Sequence, residues 1–364
     1  AGNSSNTLSL TTFVIDTTAP AAFTVGSVVT TGGTLVAGYW NSTNTGIDVT
    51  VPVANDATLT GGTIQLQANV ADGGWATFGD AYTIQGSDLD TDKTISNTAA
   101  VFEALSGGLA DSESVLFRAI ITDNVSQSTT GTQSNTTLAV DQTAPIISEA
   151  AAVSTPTTDN TPTFTITSDE AGAITASQTI SSPSPANADD GNTAVVFAEL
   201  ADGTYDSETV TVTDAAGNAS NELSVTTFVV DATAPADFTV GSVITSGGTV
   251  VAGYLNSTNE TVTVTVPIAD DATLTGGTLQ IQAKVTGQDF ANIGSSATIL
   301  ENNLGGSQAI ALTDENIEAL TGYSEGTTVT FTAVITDNVS QSTTGTQSNT
   351  TLAVDQTAPI ISEA

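Results

Sequence analysis

Carboxylates are the side chains through which this chain could do chemistry. It holds 39 Asp and Glu against three basic residues, Lys93, Arg118 and Lys284, for a formal charge of −36 over 364 residues, and it has no His, Cys or Met. Nine of the acids recur in sets of three: Asp16, Asp56 and Asp123; Asp141, Asp169 and Asp214; Asp231, Asp271 and Asp337. Asp169 has Glu170 beside it, and Asp271 has Asp270. In each set one acid stands in a connecting segment, one follows an early β-rich run and one follows a late run. When such runs pair into two packed sheets, these three segments meet at one pole of the sandwich. Two carboxylates about 5 Å apart repel by about 3 kcal/mol at an effective dielectric of about 20, so three at one pole need a cation or a proton. Calcium, which takes roughly six to eight oxygen ligands, suits this donor set. With a dissociation constant of about 0.1 mM and about 10 mM calcium, each site would add about 2.7 kcal/mol of stability. Any single Asp reads equally well as a turn cap, because its short side chain accepts from nearby backbone N–H groups. Repetition of the triplet in three places is what favours an ion.

The same composition removes whole classes of function. A strongly acidic surface repels nucleic acid and anionic membranes, leaving divalent cations and neighbouring repeats of the same chain as the expected partners. Disulfides, serine and cysteine triads, and thiolate or imidazole metal sites lack their residues. A glycosidase built on two carboxylates would need one acid in a cleft with a raised affinity for protons, whereas these acids lie in Gly-, Ser- and Thr-rich loops. No catalysis is expected. Asp88-Leu89-Asp90-Thr91-Asp92 opens like an EF-hand loop, but Lys93 replaces the required glycine and the second copy, Asn303 to Ser307, has no acids. Trp40 and Trp75 could stack on sugars, yet the second copy has Leu255 and Phe290 there, an exchange that suits packing. Asn41-Ser42-Thr43 and Asn259-Glu260-Thr261 read as chance glycosylation tripeptides in so Thr-rich a chain. No apolar run approaches the ~18 to 20 residues of a spanning helix, so membrane insertion is not expected.

A repetitive β scaffold must position the acids. Residues 1–20 return, with few changes, at 216–235, and residues 121–150 return letter for letter as 335–364. Repetition at that period marks a tandem array of whole domains. Thr261-Val262-Thr263-Val264-Thr265-Val266, Thr209-Val210-Thr211-Val212-Thr213 and Thr163-Phe164-Thr165-Ile166-Thr167 alternate apolar and hydroxyl residues, the period of strands with one dry and one wet face. Ile64 to Val70 and Leu279 to Val285 alternate likewise. Asp314 to Leu320, behind Thr313, predicts a short helix, and its counterpart is Thr98 to Leu105. The pentapeptide Asp-x-Thr-Ala-Pro begins at Asp16, Asp141, Asp231 and Asp355, 125, 90 and 124 residues apart, spacings that suit single sandwich domains. The expected division is residues 1–15, the last strand of a truncated short domain; 16–140, a long domain; 141–230, a short domain; 231–354, a second long domain; and 355–364, a linker with the first strand of a further one.

Leu200-Ala201-Asp202-Gly203-Thr204-Tyr205, the run from Val210 to Ser220 with its Asp214-Ala215-Ala216-Gly217-Asn218, and Asp231-Ala232-Thr233-Ala234-Pro235 resemble the bacterial Ig-like repeats of giant secreted cell-surface adhesins. The long domains carry a related ending, Ile121 to Ser126 and Ile335 to Ser340. The resemblance covers the short domain well and the long ones mainly in their last third. The Thr-rich, Lys-poor long units are most similar to the gliding-motility adhesins of Bacteroidota. It implies an all-β fold of tandem Ig-like antiparallel β-sandwiches set end to end as a rod, at the cell surface and extracellular. It further implies a stalk stiffened by Ca2+ at its junctions, presenting a distal tip for surface attachment, biofilm or gliding, with glycans or abiotic surfaces engaged by regions outside this sequence. Tyr205 falls where a sandwich's tyrosine corner would hydrogen-bond back to the chain. Two other readings fit the residues: a carbohydrate-binding module using the long domain's extra segment Gly73 to Leu105, and a self-assembling sheath or filament joined through end strands.

Overall fold

The computed structural model describes residues 4–8, 15–177 and 184–361. These form an all-β protein. The strands form where hydroxyl and apolar residues alternate. Thr163–Ser168, Thr209–Thr213 and Thr261–Pro267 bury every second residue, as do Gly46–Val53 and Thr63–Val70. Branched Thr and Val side chains both fit the pleat, and their period of two sends valines inward and threonines to the surface.

The buried side chains gather in three separate cores, from Val25 to Val140, from Ile147 to Val230 and from Val240 to Val354. In the first, Val28–Thr31, Gly46–Val53 and Thr91–Thr98 make one sheet. Tyr39–Trp40, Leu138–Val140, Ser114–Thr122, Thr63–Val70 and Trp75–Thr83 make the other, in that order. The third core repeats this plan, with Val243–Ser246, Thr261–Pro267 and Ser307–Thr313 as its smaller sheet. The middle core lies between the sheet of Ile147–Ala151, Thr163–Ser168 and Gly191–Val196 and the sheet of Asn187–Ala188, Gly172–Ala176, Thr209–Thr213 and Leu223–Ser224.

Pairing is antiparallel except at one edge of each unit. Tyr39–Trp40 runs parallel to Leu138–Val140, and Tyr254–Asn256 parallel to Leu352–Asp355. Single parallel bridges join Thr24 to Thr132, Thr157 to Val230 and Thr239 to Thr346. The first and last segments of each unit both run from its incoming to its outgoing pole, so they can pair only in parallel. That exception to the antiparallel expectation follows from domains joined head to tail.

Both expected helices are present, at Ala99–Glu103 and Asp314–Glu318. The second is closed at its start by the Thr313 N–H, which donates to Asn316 Oδ1 at 3.1 Å. Each helix drives one side chain, Phe102 or Ile317, fully into a core. Trp40 is also fully buried, with its ring 4.5 Å from that of Phe102, whereas Leu255 and Ile317 fill these places in the second copy. Trp40 is therefore a packing residue. The Tyr205 hydroxyl donates to the Ala201 carbonyl at 2.8 Å while its ring stacks on Phe228, the corner expected from its position. The strand expected in residues 1–15 falls mostly on residues 1–3 and 9–14, outside the described ones. So do residues 362–364 of the strand expected at the other end; Ile360 and Ile361 are exposed and belong to no strand.

Candidate cation sites at the domain junctions

One local device recurs at the incoming pole of every unit. Asp123 Oδ1 accepts the N–H groups of Val125 and Gln127, each at 2.9 Å, and the Gln127 side chain donates to the Asp16 carbonyl at 2.9 Å. Asp337 Oδ1 accepts from Val339 at 3.0 Å and Gln341 at 2.8 Å, and Gln341 Nε2 donates to the Asp231 carbonyl at 3.0 Å. In the short unit Asp214 Oδ1 accepts the Asn218 N–H at 2.9 Å, and Asn218 Nδ2 donates to the Asp141 carbonyl at 3.0 Å. The shared pattern is Asp-x-x-x-Asn/Gln. The acid curls its own loop, the residue before the amide takes a positive φ (Ser126 73°, Gly217 91°, Ser340 71°), and the amide grips the linker. In the long units the early loop joins as well, since Asn124 N–H donates to Thr58 O and Asn338 N–H to Thr273 O. Linker, early loop and late loop thus meet at these poles.

The tightest cluster lies where the first long unit hands over to the short one. Asp141, Glu170 and Asp214 each place one carboxylate oxygen within 4.8 Å of the others, the only such group among the described residues. All three are half-buried. Burial first, then Asp214 and Asp111, push the Asp141 carboxyl above its ordinary range, and burial followed by Asp141 and Asp214 does the same to Glu170. No Lys or Arg occurs between residues 141 and 230 to balance them. One member of the expected set, Asp169, lies apart from this cluster. Asp169 is exposed and its Oδ1 accepts the Ile146 N–H at 2.6 Å, so it holds the linker, while Glu170 enters the cluster. Neighbouring residues at a strand end point to opposite sides, and only one of the two can face the pole.

The long units' poles are looser. Asp231 and Asp337 are 2% and 4% exposed, and the Oδ2 atom of each has no hydrogen-bond partner. Burial, then Asp337, push the Asp231 carboxyl up. At the first long unit Asp16 and Asp123 likewise leave Oδ2 buried and unpartnered. Asp56 and Asp271 cap their own turns: the Oδ1 of each accepts the N–H and hydroxyl of the second residue on, Thr58 or Thr273. Those bonds hold the Asp56 carboxyl below its ordinary range. The turn reading thus describes one oxygen of Asp56 and Asp271. It leaves four interior oxygens bare, which costs about 1–3 kcal/mol each, more for charged groups. Hard oxygen donors with unfilled positions and no nearby base fit a divalent cation of the calcium type.

Sequence reasoning missed a second family of acids. Asp111 Oδ1 accepts the Gln142 N–H at 2.6 Å, and its Oδ2 accepts the Thr143 hydroxyl. Asp202 Oδ1 accepts the Ala232 N–H and Glu325 Oε2 the Gln356 N–H, each at 2.6 Å. In each unit an acid at the outgoing pole holds the second residue of the Asp-x-Thr-Ala-Pro linker from 30 or 31 positions upstream. That regular interval was the available signal.

The three cations take no part in these poles. Arg118 stacks over Trp75, Lys93 over Tyr82 and Lys284 over Phe290, each 4.2 to 4.5 Å from the ring centre. The segment resembling an EF-hand loop is a knot around Asp88, which accepts from Tyr82 Oη and Gln85 N–H at 2.8 Å and from Lys93 Nζ at 3.4 Å.

Residues 140–232 match the family model of a bacterial Ig-like domain. No curated protein matches the chain. Among solved structures, the chain is similar to a protein described under host cell surface retention of a 1.5-MDa bacterial ice-binding adhesin, at 16% identity and a TM-score of 0.32, covering 93% of this chain and all of the other. The FN1-FN3 domains of chicken CNTN1 give 11% identity and a TM-score of 0.26 over 92% of this chain and 99% of theirs. A segment of titin gives 11% and 0.31 over 90% and 97%. With TM-scores this far below 0.5, none of the three bears on what this chain does.

Proposed function

We propose that this chain, whose segment 140–232 is a bacterial Ig-like domain, is a stalk segment of a cell-surface adhesin, without enzymatic activity, in which divalent cations of the calcium type stiffen the domain junctions. The observation that carries this reading is the gathering of Asp141, Glu170 and Asp214 at a junction that has no base to neutralise them. A string of domains is flexible when its linkers are free and becomes a strut when each linker is tied to both neighbours. The linker here is tied by hydrogen bonds from both sides, Asp111 behind and Asn218 ahead. The carboxylates of the three segments at this pole, Asp141 from the linker, Glu170 from the early loop and Asp214 from the late loop, would be the ligands. A bound ion would join the three segments and remove their repulsion. The Asp16, Asp123, Asp231 and Asp337 carboxylates, each with a bare oxygen, would hold an ion at the long units' poles. The resemblance of Asp214-Ala215-Ala216-Gly217-Asn218 and of the linkers to adhesin repeats supports the extracellular setting.

Titration of the whole chain with calcium by calorimetry, with melting and small-angle scattering in calcium and in chelator, tests the proposal. Heat of binding, a stability gain of about 2.7 kcal/mol per site at 100 times the dissociation constant and a narrower spread of interdomain distances are expected. Glu170→Gln sharpens it through a change of sign: it should weaken calcium binding yet stabilise the chelated chain, because it removes one of the mutually repelling charges. No heat and identical melting in both buffers would leave a stalk without ions.

A further inference from the structure

The first long unit ends in a small polar socket that the short unit fills. Asn41 Nδ2 donates to the Ala216 carbonyl at 2.7 Å, and the N–H and hydroxyl of Ser42 donate to Asn218 Oδ1 at 3.1 and 2.8 Å. Asn41 is fully buried in this contact. The fit depends on Gly217, since a Cβ there would lie 2.9 Å from the methyl groups of Thr34 and Val36.

The second long unit carries the same socket already formed. Asn256 N–H donates to Asn259 Oδ1 at 2.9 Å, Thr258 Oγ1 donates to Asn256 Oδ1 at 2.7 Å and Asn256 Nδ2 donates to the Thr249 carbonyl at 2.8 Å. Asn41, Asn44, Thr43 and Thr34 make the corresponding bonds at 2.9, 2.7 and 2.8 Å. What differs is the cover. Val251 and Tyr254 are 44% and 45% exposed, where Val36 and Tyr39 are half-buried, and Asn256 is half-exposed where Asn41 is buried. The linker beside the uncovered socket, residues 355–364, is identical to residues 141–150, and Glu325 holds its Gln356 as Asp111 holds Gln142.

We propose that Asn256 and Ser257 form a docking socket for the Ala-Gly-Asn turn of a further short unit, the same turn that Ala216, Gly217 and Asn218 present to Asn41 and Ser42. The occupant is fixed by three matched features: the neutral amide and hydroxyl donors, the small residues needed for close approach, and a linker of the right sequence held at the right place. The socket's own donors are uncharged, so this inference stands apart from the proposal of junctional ions.

The test joins a second copy of residues 151–230 directly after Ala364 and follows amide hydrogen exchange in peptides covering residues 249–259, in calcium and again in chelator. Joined to the copy, the Ser257 amide should exchange at least tenfold more slowly than in the 364-residue chain, approaching the rate of the Ser42 amide. Replacing the added copy's counterpart of Asn218 with alanine should abolish that protection while the copy's core strands remain protected. Protection in either buffer, lost with that alanine, supports the socket. Unchanged exchange at 249–259 in both buffers, with the added unit folded by its own amide protection, overturns it.

Discussion

At Asp141 the late loop of the incoming unit reaches back across the junction, whereas at Asp231 it stops at the linker. Asn218 donates to the Asp141 carbonyl and accepts from Ser42 of the unit before it. Gln341, at the matching place, donates to the Asp231 carbonyl. Among the described residues no hydrogen bond joins the body of the short unit to that of the second long one; Asp202 reaches only the linker residue Ala232. On the incoming side the two loops differ in the three residues between Asp and amide. Ala215-Ala216-Gly217 is small enough for the loop to nest under Thr34 and Val36, while Asn338-Val339-Ser340 carries bulk at each position. Two kinds of joint follow from one plan: one held by direct contact, the other held through its linker and its buried acids.

The largest way to break that distinction is to remove the amides. Asn218 is 1% exposed and serves Ser42 twice, the Asp141 carbonyl and Asp214 Oδ2. Asn218→Ala leaves several of those partners unpaired inside the junction, for an expected loss of about 2–3 kcal/mol in the short unit. Gln341→Ala removes one linker bond and should cost about 1 kcal/mol. Calorimetric unfolding of the whole chain, resolved into its component transitions, measures both. Equal losses would mean that the contact at Asp141 contributes nothing beyond gripping the linker.

Proton linkage sharpens the same contrast. Burial and the neighbouring Asp214 and Asp111 raise the Asp141 carboxyl, and burial with Asp141, Asp214, Asp169 and Asp111 raises Glu170. At the other joint Asp231 is raised by burial, then Asp337. The folded chain therefore keeps these protons at pH values where the unfolded chain has released them. Stability from that source is complete below the unfolded carboxylate range and is lost as pH rises through the elevated folded values. In chelator the chain should melt at higher temperature at mildly acidic than at neutral pH, with a steeper slope in the short unit, where two raised acids share one cluster, than in the first long unit, whose shifted acids Asp56 and Asp88 are lowered. Asp56 acts oppositely, but only below the ordinary carboxylate range, because its folded value is lowered by Thr58. Calcium competes with the protons and should flatten the slope; a chelated chain whose melting does not change between these pH values would show that the acids are solvated separately.

The strands, the two helices and the tyrosine corner were legible from simple patterns: a period of two, a cap before the acidic turn at Asp314 with its repeat counterpart at Thr98, a Tyr at a fixed place near a strand. The loops bearing the acids were legible as well, since topology alone brings linker, early loop and late loop to one pole. Which of Asp169 and Glu170 faces the cluster was not, because it depends on where the strand Thr163–Ser168 ends. Asn41-Ser42-Thr43 read as a chance tripeptide, and only contact with a unit 175 residues away shows why an amide stands there. The basic residues teach the same point. Arg118 and Lys284 are unmatched in the repeat, yet Trp75 pairs with Asn69 across the hairpin, and Lys284 occupies the place of Asn69 in the second copy, beneath Phe290. The cation has moved to an adjacent strand and still covers the equivalent ring, a compensation visible in space and hidden in alignment.

The smallest expected effect concerns the acids of the outgoing poles, and it asks whether the two joints share more than a linker sequence. Asp111 binds both Gln142 and Thr143, and its negative charge also faces Asp141 and Glu170. Asp202 binds Ala232 alone and faces Asp231. A charge-assisted bond to a backbone N–H contributes up to about 1.5–3 kcal/mol when sheltered, but exposed ones give less, and each of these acids also repels its neighbours. For Asp111→Asn the amide keeps an acceptor for Gln142 while removing a charge from the most crowded pole, so in chelator the variant should be neutral or slightly stabilising, within about 0.5 kcal/mol. In calcium the balance turns, because the lost negative charge reduces the pull on the ion and binding should weaken modestly. Asp202→Asn should lose stability in chelator by up to about 1 kcal/mol, since fewer acids surround it and the weakened bond dominates. Opposite signs for the two substitutions in chelator would establish that repulsion is concentrated at the short unit's pole. Equal losses would place both acids in the same role, as plain clamps on the linker.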